Sequence, residues 1–264
     1  MLIISPKDIF TTMDKEFIAI NELYLNQDFC TDENGNDVIL KCKMIGNAYA
    51  LAENAIVSMG NNMTGCSYCF FGGLADVLGL SAQERVAEIP TLYEDFVFNR
   101  ANPNDLSLRH AHELAYIHLT ESMPPEERRN WYLSDFLRMS CADGSTYWVN
   151  HRMFALAGTA NGSYWINMCV YTLDRNDIHY AQFVNTRTGE CRILTNRDYS
   201  DILSSREIEV LQLIDQGLLS KEIAERLYIS KNTVDRHRQH IFEKLHVGNA
   251  IEACRIAKTM GLLP

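Results

Sequence analysis

Apolar residues recur at helical spacing through residues 11–26, at Phe17, Ile20, Leu23 and Tyr24, and again at Met44, Ala48, Ala52, Ala55, Ile56 and Met59. Between them Asp32-Glu33-Asn34-Gly35-Asn36 is turn chemistry. The first sixty residues therefore predict two helices that need a partner surface. From Asn61 the pattern changes to α+β. Cys66-Ser67-Tyr68-Cys69-Phe70-Phe71, bounded by Gly65 and Gly72-Gly73, is aromatic-rich and reads as a short strand, with helical material after it. Residues 105–122 predict a long helix with Leu106, Leu108, His112, Ala115, Tyr116 and Leu119 inward, ending before Pro124-Pro125. Three extended runs follow, at 131–140, 146–157 and 163–173. The Asp143-Gly144 and Asn161-Gly162 pairs between them are hairpin signals, which makes an antiparallel meander. Two shorter extended runs, 179–184 and 190–194, lead into the polar stretch 195–201, read as a linker. Beyond it the pattern is helical to the end.

Composition narrows the function classes. Among 264 residues, 47% hydrophobic and 22% charged supply cores for two modules and exclude a disordered or fibrous chain. A net charge of −10 excludes a protein that coats nucleic acid or anionic membrane over its whole surface. The N-terminus has no basic region before its brief apolar run, and no stretch approaches the ~18 apolar residues of a membrane span, so a soluble cytoplasmic protein is expected. The eight cysteines are scattered along predicted helices and strands, a pattern of reduced thiols.

The C-terminal sixty residues carry the sharpest signal. Ser205, Ser220 and Ser230 each stand at the start of a helical pattern as N-cap candidates. The first helix has Ile208, Leu211, Leu213 and Ile214 at helical spacing and stops at Gly217; the second carries Ile223, Ala224 and Leu227. Two short helices joined through Tyr228 and Ile229, with small Ala224 at their crossing, have the form of a helix-turn-helix. The third helix puts Val234, Ile241, Leu245 and neighbouring Phe242 on one side and Asn232, Asp235, Arg236, Gln239 and Glu243 on the other. Such amide, guanidinium and carboxylate groups match base edges in a major groove. Lys221, Lys231, Thr233, Arg238 and Lys244 are placed to meet flanking phosphates.

Leu203-Ser204-Ser205-Arg206-Glu207-Ile208-Glu209-Val210-Leu211, then Gly217, Ser220-Lys221-Glu222-Ile223-Ala224, Leu227, Ile229-Ser230, Thr233-Val234, His237-Arg238, Ile241 and Lys244-Leu245, closely resemble the LuxR-type (GerE-type) four-helix DNA-binding domain. That resemblance implies a bacterial transcription regulator, and since no nucleophile–base–orienter constellation is visible in the sequence, no enzyme activity is expected. The resemblance implies double-stranded DNA as partner, bound as a homodimer through the third helix, the fourth helix at 250–260 as the dimer surface, and RNA polymerase as a further partner. Two positions depart from the family pattern: Asp235 stands where a basic residue is common, and Ala250 where Arg is.

The upstream order of helix pair, aromatic strand, small helices, long helix and meander resembles a PAS-type sensor domain. Ala101-Asn102-Pro103-Asn104-Asp105-Leu106, Asp143-Gly144-Ser145-Thr146-Tyr147-Trp148-Val149 and Asp174 carry that likeness. It implies a curved antiparallel sheet with helices on one face, often around a small-molecule ligand, whose identity and contacting residues stay unknown. Tyr68, Phe70, Trp148, Phe154, Tyr164 and Trp165 could line such a cavity or be ordinary sheet core. Cys66 and Cys69 could form a redox or metal switch, and His110 with Glu113, one turn apart, could bind a metal; a buried strand and a solvated helix face are the plainer readings. A third reading makes the N-terminal region a dimerisation scaffold alone. The expected organisation is a helical segment at 1–60, a PAS-like α+β domain at 61–175, a β-hairpin and linker at 176–200 and an all-α four-helix helix-turn-helix domain at 201–264, with no metal and no cofactor. Residues 204–264 hold 9 Lys and Arg against 8 Asp and Glu, so the acidity belongs to the upstream part.

Overall fold

The computed structural model describes residues 25–29, 35–92, 94–159, 161–200, 202–245 and 247–264. Apart from its last two residues, the predicted first helix at 11–26 lies outside them. The described chain opens with α1 (Gly35–Ala52), and the helix stops where Asn54 takes a left-handed φ of 52° and the Ala55 amide bonds back to the Ala50 carbonyl. The predicted continuation through Ala55, Ile56 and Met59 is instead the strand β1 (Ile56–Asn61). It lies in the middle of a sheet and is buried on both sides, so its sequence has no alternation to mark it.

Among the described residues, eight strands form one antiparallel sheet. They are β1, β2 (Cys66–Phe71), β3 (Glu88–Ile89), β4 (Trp131–Ser140), β5 (Thr146–Gly158), β6 (Tyr164–Asp174), β7 (Gln182–Asn185) and β8 (Cys191–Ile193), in spatial order β3-β2-β1-β6-β5-β4-β7-β8. The meander β4–β6 is present, and β6 closes against β1 through six residue pairs from Ile56↔Tyr171 to Asn61↔Ile166. Register assigns the two faces, because directly paired residues point the same way. The row Cys69, Ser58, Cys169, Met153, Leu133, Phe183 crosses one face. That face is covered by α2 (Leu74–Val77), α3 (Asp95–Phe98) and the long α4 (Pro103–Glu121), with Phe96, Val97, Leu106, Leu137, Val149 and Tyr171 among the packed residues. The opposite face of β1, β2 and β6 is covered by α1, through Cys42, Ala50, Val57, Met59, Tyr68 and Met168. Gly72 permits the close crossing after β2: a Cβ there would stand 2.2 Å from the Ala50 carbonyl oxygen.

Asn102 caps α4 by accepting from the Asn104 amide, and Pro103 occupies its first turn. After the short α5 (Pro125–Arg128), the hairpin β7–β8 and α6 (Arg197–Ser200), the chain is helical: α7 (Ser205–Asp215), α8 (Ser220–Leu227), α9 (Lys231–Leu245) and α10 (Ala250–Thr259). Tyr199, Ile202 and Leu203 are buried in one apolar cluster that runs from α4, β4 and β7 into the four C-terminal helices.

Candidate nucleic-acid interface

The C-terminal helices are built around Val210, Leu211, Ile223, Ala224, Val234, Ile241, Leu245, Ala253, Ile256, Ala257 and Met260, all buried. The first cap is one residue earlier than the sequence suggests. The Ser204 hydroxyl accepts from the Glu207 amide, and Glu207 Oε2 in turn accepts from the Ser204 amide at 2.7 Å and its hydroxyl at 2.8 Å, a reciprocal capping box. At α8 the Leu219 amide donates to Glu222 Oε2 at 2.7 Å, again one residue ahead of the expected Ser220. Ser230 does cap α9, accepting from the Thr233 amide at 3.1 Å. Arg206 fixes the angle between helices by donating from Nη2 to the Leu227 carbonyl at the end of α8. Gly217, φ 85°, makes the turn after α7. The turn into α9 instead uses Tyr228 in the left-handed region, φ 55°, with its side chain 96% exposed.

With Val234, Ile241 and Leu245 buried, α9 turns Asn232, Thr233, Arg236 and Gln239 outward, all exposed. Lys221, on α8, is exposed beside them. Asp235 is half-buried and held by Lys231 Nζ at 2.6 Å. Its hydrogen bonds from Lys231 and Ser220 keep its carboxyl below the usual range. Gln239 donates to Glu243 at 2.8 Å, and Arg238 lies over the Phe242 ring, 5.8 Å from its centroid. Lys244 departs from its sequence reading. Its Nζ sits 2.7 Å from Glu207 Oε2, so it completes the α7 cap rather than standing free for phosphate. Burial alone would raise the Glu207 carboxyl, but Lys244 and the Ser204 donors hold it below the ordinary range.

A second set of polar groups is buried under the sheet. Arg109 Nε donates to Glu113 at 2.7 Å and Nη2 to Glu94 at 3.0 Å, while the Tyr171 hydroxyl donates to the same Glu94 oxygen. Asp135 accepts from His112 at 2.9 Å and His151 at 2.7 Å. Burial opposes that carboxylate's charge, yet the two imidazoles hold it far below the usual range. Ser67 Oγ, Asn167 Oδ1 and His151 Nε2 are buried without a hydrogen-bond partner. Register puts all three on the face covered by α2, α3 and α4, Ser67 and Asn167 on either side of Gly60.

Several candidates separate. Tyr68, Phe70 and Trp165 pack with α1 on the other side of the sheet, Trp148 stacks on His179 with centroids 4.1 Å apart, and Phe154 stacks on Tyr132 at 4.8 Å. Tyr164 reaches Thr120 of α4, so the six aromatics line no common cavity. Cys66 and Cys69 are three residues apart on one strand and point to opposite faces, which rules out a disulfide between them. Burial, chiefly, pushes the Cys69 thiol up to about 12, away from the reactive thiolate. Glu113 is taken by Arg109 and His110 bonds elsewhere; no grouping of three metal-ligating side chains occurs among the described residues. No helix among the described residues is long and apolar enough to cross a membrane.

Residues 201–257 match the family model "Bacterial regulatory proteins, luxR family". The oxygen regulatory protein NreC of Staphylococcus carnosus is 43% identical over 82 residues, 31% of this chain and 37% of NreC. The transcriptional regulatory protein ComA of Bacillus subtilis is 41% identical over 87 residues, 33% of this chain and 41% of ComA. The chain thus spans well under half the length of these two relatives. Among solved structures, a Vibrio cholerae VqmA dimer, of the LuxR-type receptors, is 14% identical and covers 85% of this chain and 88% of its own, with a TM-score of 0.30. A phage VqmA–DPO complex is 15% identical over 87% of this chain and 90% of its own, with a TM-score of 0.29. Capped helices around one apolar core, the tight α8–α9 turn and the family match together make the C-terminal region, over residues 201–257, a DNA-binding helix-turn-helix of the LuxR type.

Proposed function

We propose that the chain is a transcription regulator that reads double-stranded DNA as a two-fold dimer through α9, under the control of a PAS-like sensory or association unit formed by the sheet and its helices. The observation that carries the reading is the division of α9: Val234, Ile241 and Leu245 are buried along one side and the other offers Asn232, Thr233, Arg236 and Gln239 to solvent. Arg236 suits guanine, Asn232 and Gln239 suit adenine, and Asp235 suits the cytosine amino group once Lys231 turns to a phosphate. Lys221, Lys231, Thr233 and Arg238 supply phosphate contacts, and Lys244 acts instead through the α7 cap.

Dimer pairing through α10 is supported by Ile251, which is 83% exposed at the edge of a groove shared with Ile214, Cys254 and Lys258. Two such units present their third helices one DNA turn apart, about 34 Å. Sensory control is supported by the three unpartnered polar atoms on the inner sheet face, since buried polar groups are ordinarily hydrogen-bonded.

The experiment is selection of duplexes by the full chain from a random pool, followed by affinity measurement on base variants of the enriched sequence. Two symmetric half-sites are expected, and Arg236→Ala loses discrimination at one base pair in each. A chain that enriches no sequence, or whose Arg236→Ala form discriminates as the parent does, ends the recognition-helix assignment.

A further inference from the structure

Helix α4 has two working faces. Its inner side carries Arg109, His112 and Glu113, the α4 residues of the buried polar network under the sheet. Its outer side carries Ser107, His110, Ala111 and Leu114, all buried, and meets the DNA-binding unit. His110 Nε2 lies 3.0 Å from the carbonyl oxygen of Leu245, the last residue of α9. A carbonyl only accepts, so Nε2 carries the hydrogen, and the bond satisfies one of the orphan carbonyls at the helix end. Arg255 of α10 donates from Nη1 to Ser107 Oγ at 2.7 Å. Both contacts grip the DNA-binding unit away from Asn232, Arg236 and Gln239, which stay outward.

We propose that the outer face of α4 is an intramolecular docking surface through which the sheet unit sets the DNA affinity of the LuxR-type unit, with His110 and Ser107 as its positioning residues. The inference rests on the DNA-binding reading of α9. Arg109 and His110 are consecutive on one rigid helix, the first locked to Glu94 and Glu113 and the second to Leu245. Any rearrangement at Glu94 or Tyr171 that rotates or slides α4 also moves the grip on α9, because packed helices shift between discrete arrangements rather than deforming smoothly. The Asp135 pair with His112 anchors the same helix one turn further along.

The test is a double-mutant cycle on the full chain, using a duplex the protein itself selects. Tyr171→Phe removes the hydroxyl that donates to Glu94 and keeps the ring. It is expected to change affinity about fivefold or more in the intact chain and by less than about twofold when combined with His110→Ala and Ser107→Ala. His110→Gln, whose side-chain amide can donate to the same carbonyl, restores the response. Arg255→Ala cuts the second contact from the opposite side should His110→Ala fail to fold. Hydrogen exchange reads the docking without DNA: amides of α10 are expected to lose about tenfold protection in the double variant. An equal Tyr171→Phe effect in both backgrounds, no effect in the intact chain, or unchanged α10 protection overturns the proposal. Failure to select any duplex, with protection lost as expected, overturns the DNA-binding reading and leaves the docking surface in place.

Discussion

Lys244→Met separates the phosphate contact that the sequence assigns to this residue from the capping role that the structure gives it. The substitution keeps the apolar stem and removes the ammonium that stands 2.7 Å from Glu207. Glu207 is 4% exposed at the side chain and Lys244 43%, so the pair lies between a fully buried one, where removing a partner costs about 3–5 kcal/mol, and a surface one worth about 0–1 kcal/mol. Two donors from Ser204 remain on the carboxylate after the change, which keeps the loss near the lower end, about 1–2 kcal/mol. A fall of roughly 3–6 °C in the thermal midpoint is expected at pH 7. The pH dependence has a definite sign. The folded Glu207 carboxyl sits below its ordinary value near 4.3, so its contribution is present above that pH and fades as pH falls through the folded value. The difference between parent and Lys244→Met is therefore full at neutral pH and shrinks in acid. DNA titrations over a range of salt complete the assay. A phosphate contact would remove about 0.9 from the slope of log affinity against log salt, whereas the capping role leaves that slope unchanged. An unaltered midpoint together with a reduced slope refutes the reasoning.

Tyr228→Gly is expected to stabilise the chain by about 0.5–1 kcal/mol, since the left-handed backbone costs a tyrosine about 1–2 kcal/mol and glycine's greater freedom when unfolded returns part of it; thermal unfolding checks this, and a lower midpoint contradicts it. Gly72→Ala is expected to destabilise by about 1–3 kcal/mol or block folding, because the new methyl meets the Ala50 and Ala55 carbonyls; a neutral midpoint by circular dichroism is the contrary result. Arg236→Ala is expected to cost about 1–3 kcal/mol on the selected duplex and little on random DNA, measured by competition. Mild oxidation is expected to leave no Cys66–Cys69 disulfide and unchanged DNA affinity, read by mass spectrometry and titration; a crosslink between these two would contradict their placement on opposite strand faces.

The meander and the four C-terminal helices were legible because their signals are local. Gly144 and Gly162 mark hairpin turns with positive φ, and Ser230 sits one residue ahead of the helix it caps. The strand β1 was not legible for the opposite reason. A strand buried on both faces alternates nothing, and Ala52, Ala55, Ile56 and Met59 mimic helical spacing although Asn54 ends the helix first. The caps of α7 and α8 shifted by one residue because Ser-Ser and Leu-Ser each offer two starts. The choice falls to the glutamate three residues on, Glu207 for Ser204 and Glu222 for Leu219.

The interface divides along the same line. Which residues of α9 face outward follows from helical period alone, so Asn232, Arg236 and Gln239 could be named without coordinates. What a charged residue does once it faces outward depends on neighbours brought from elsewhere in the chain. Lys244 meets Glu207 across 37 positions, and His110 meets Leu245 across 135. Neither partner carries a local mark. Helical spacing on α4 puts His110 and Glu113 one turn apart, open to a metal pair or, more plainly, a solvated face; both are buried instead, Glu113 in the arginine network and His110 against the end of the recognition helix. The contacts invisible in the sequence lie both inside the DNA-binding unit, as Lys244 with Glu207, and between the two units, as His110 with Leu245, and control of the DNA-binding face by the sheet would have to pass through the latter.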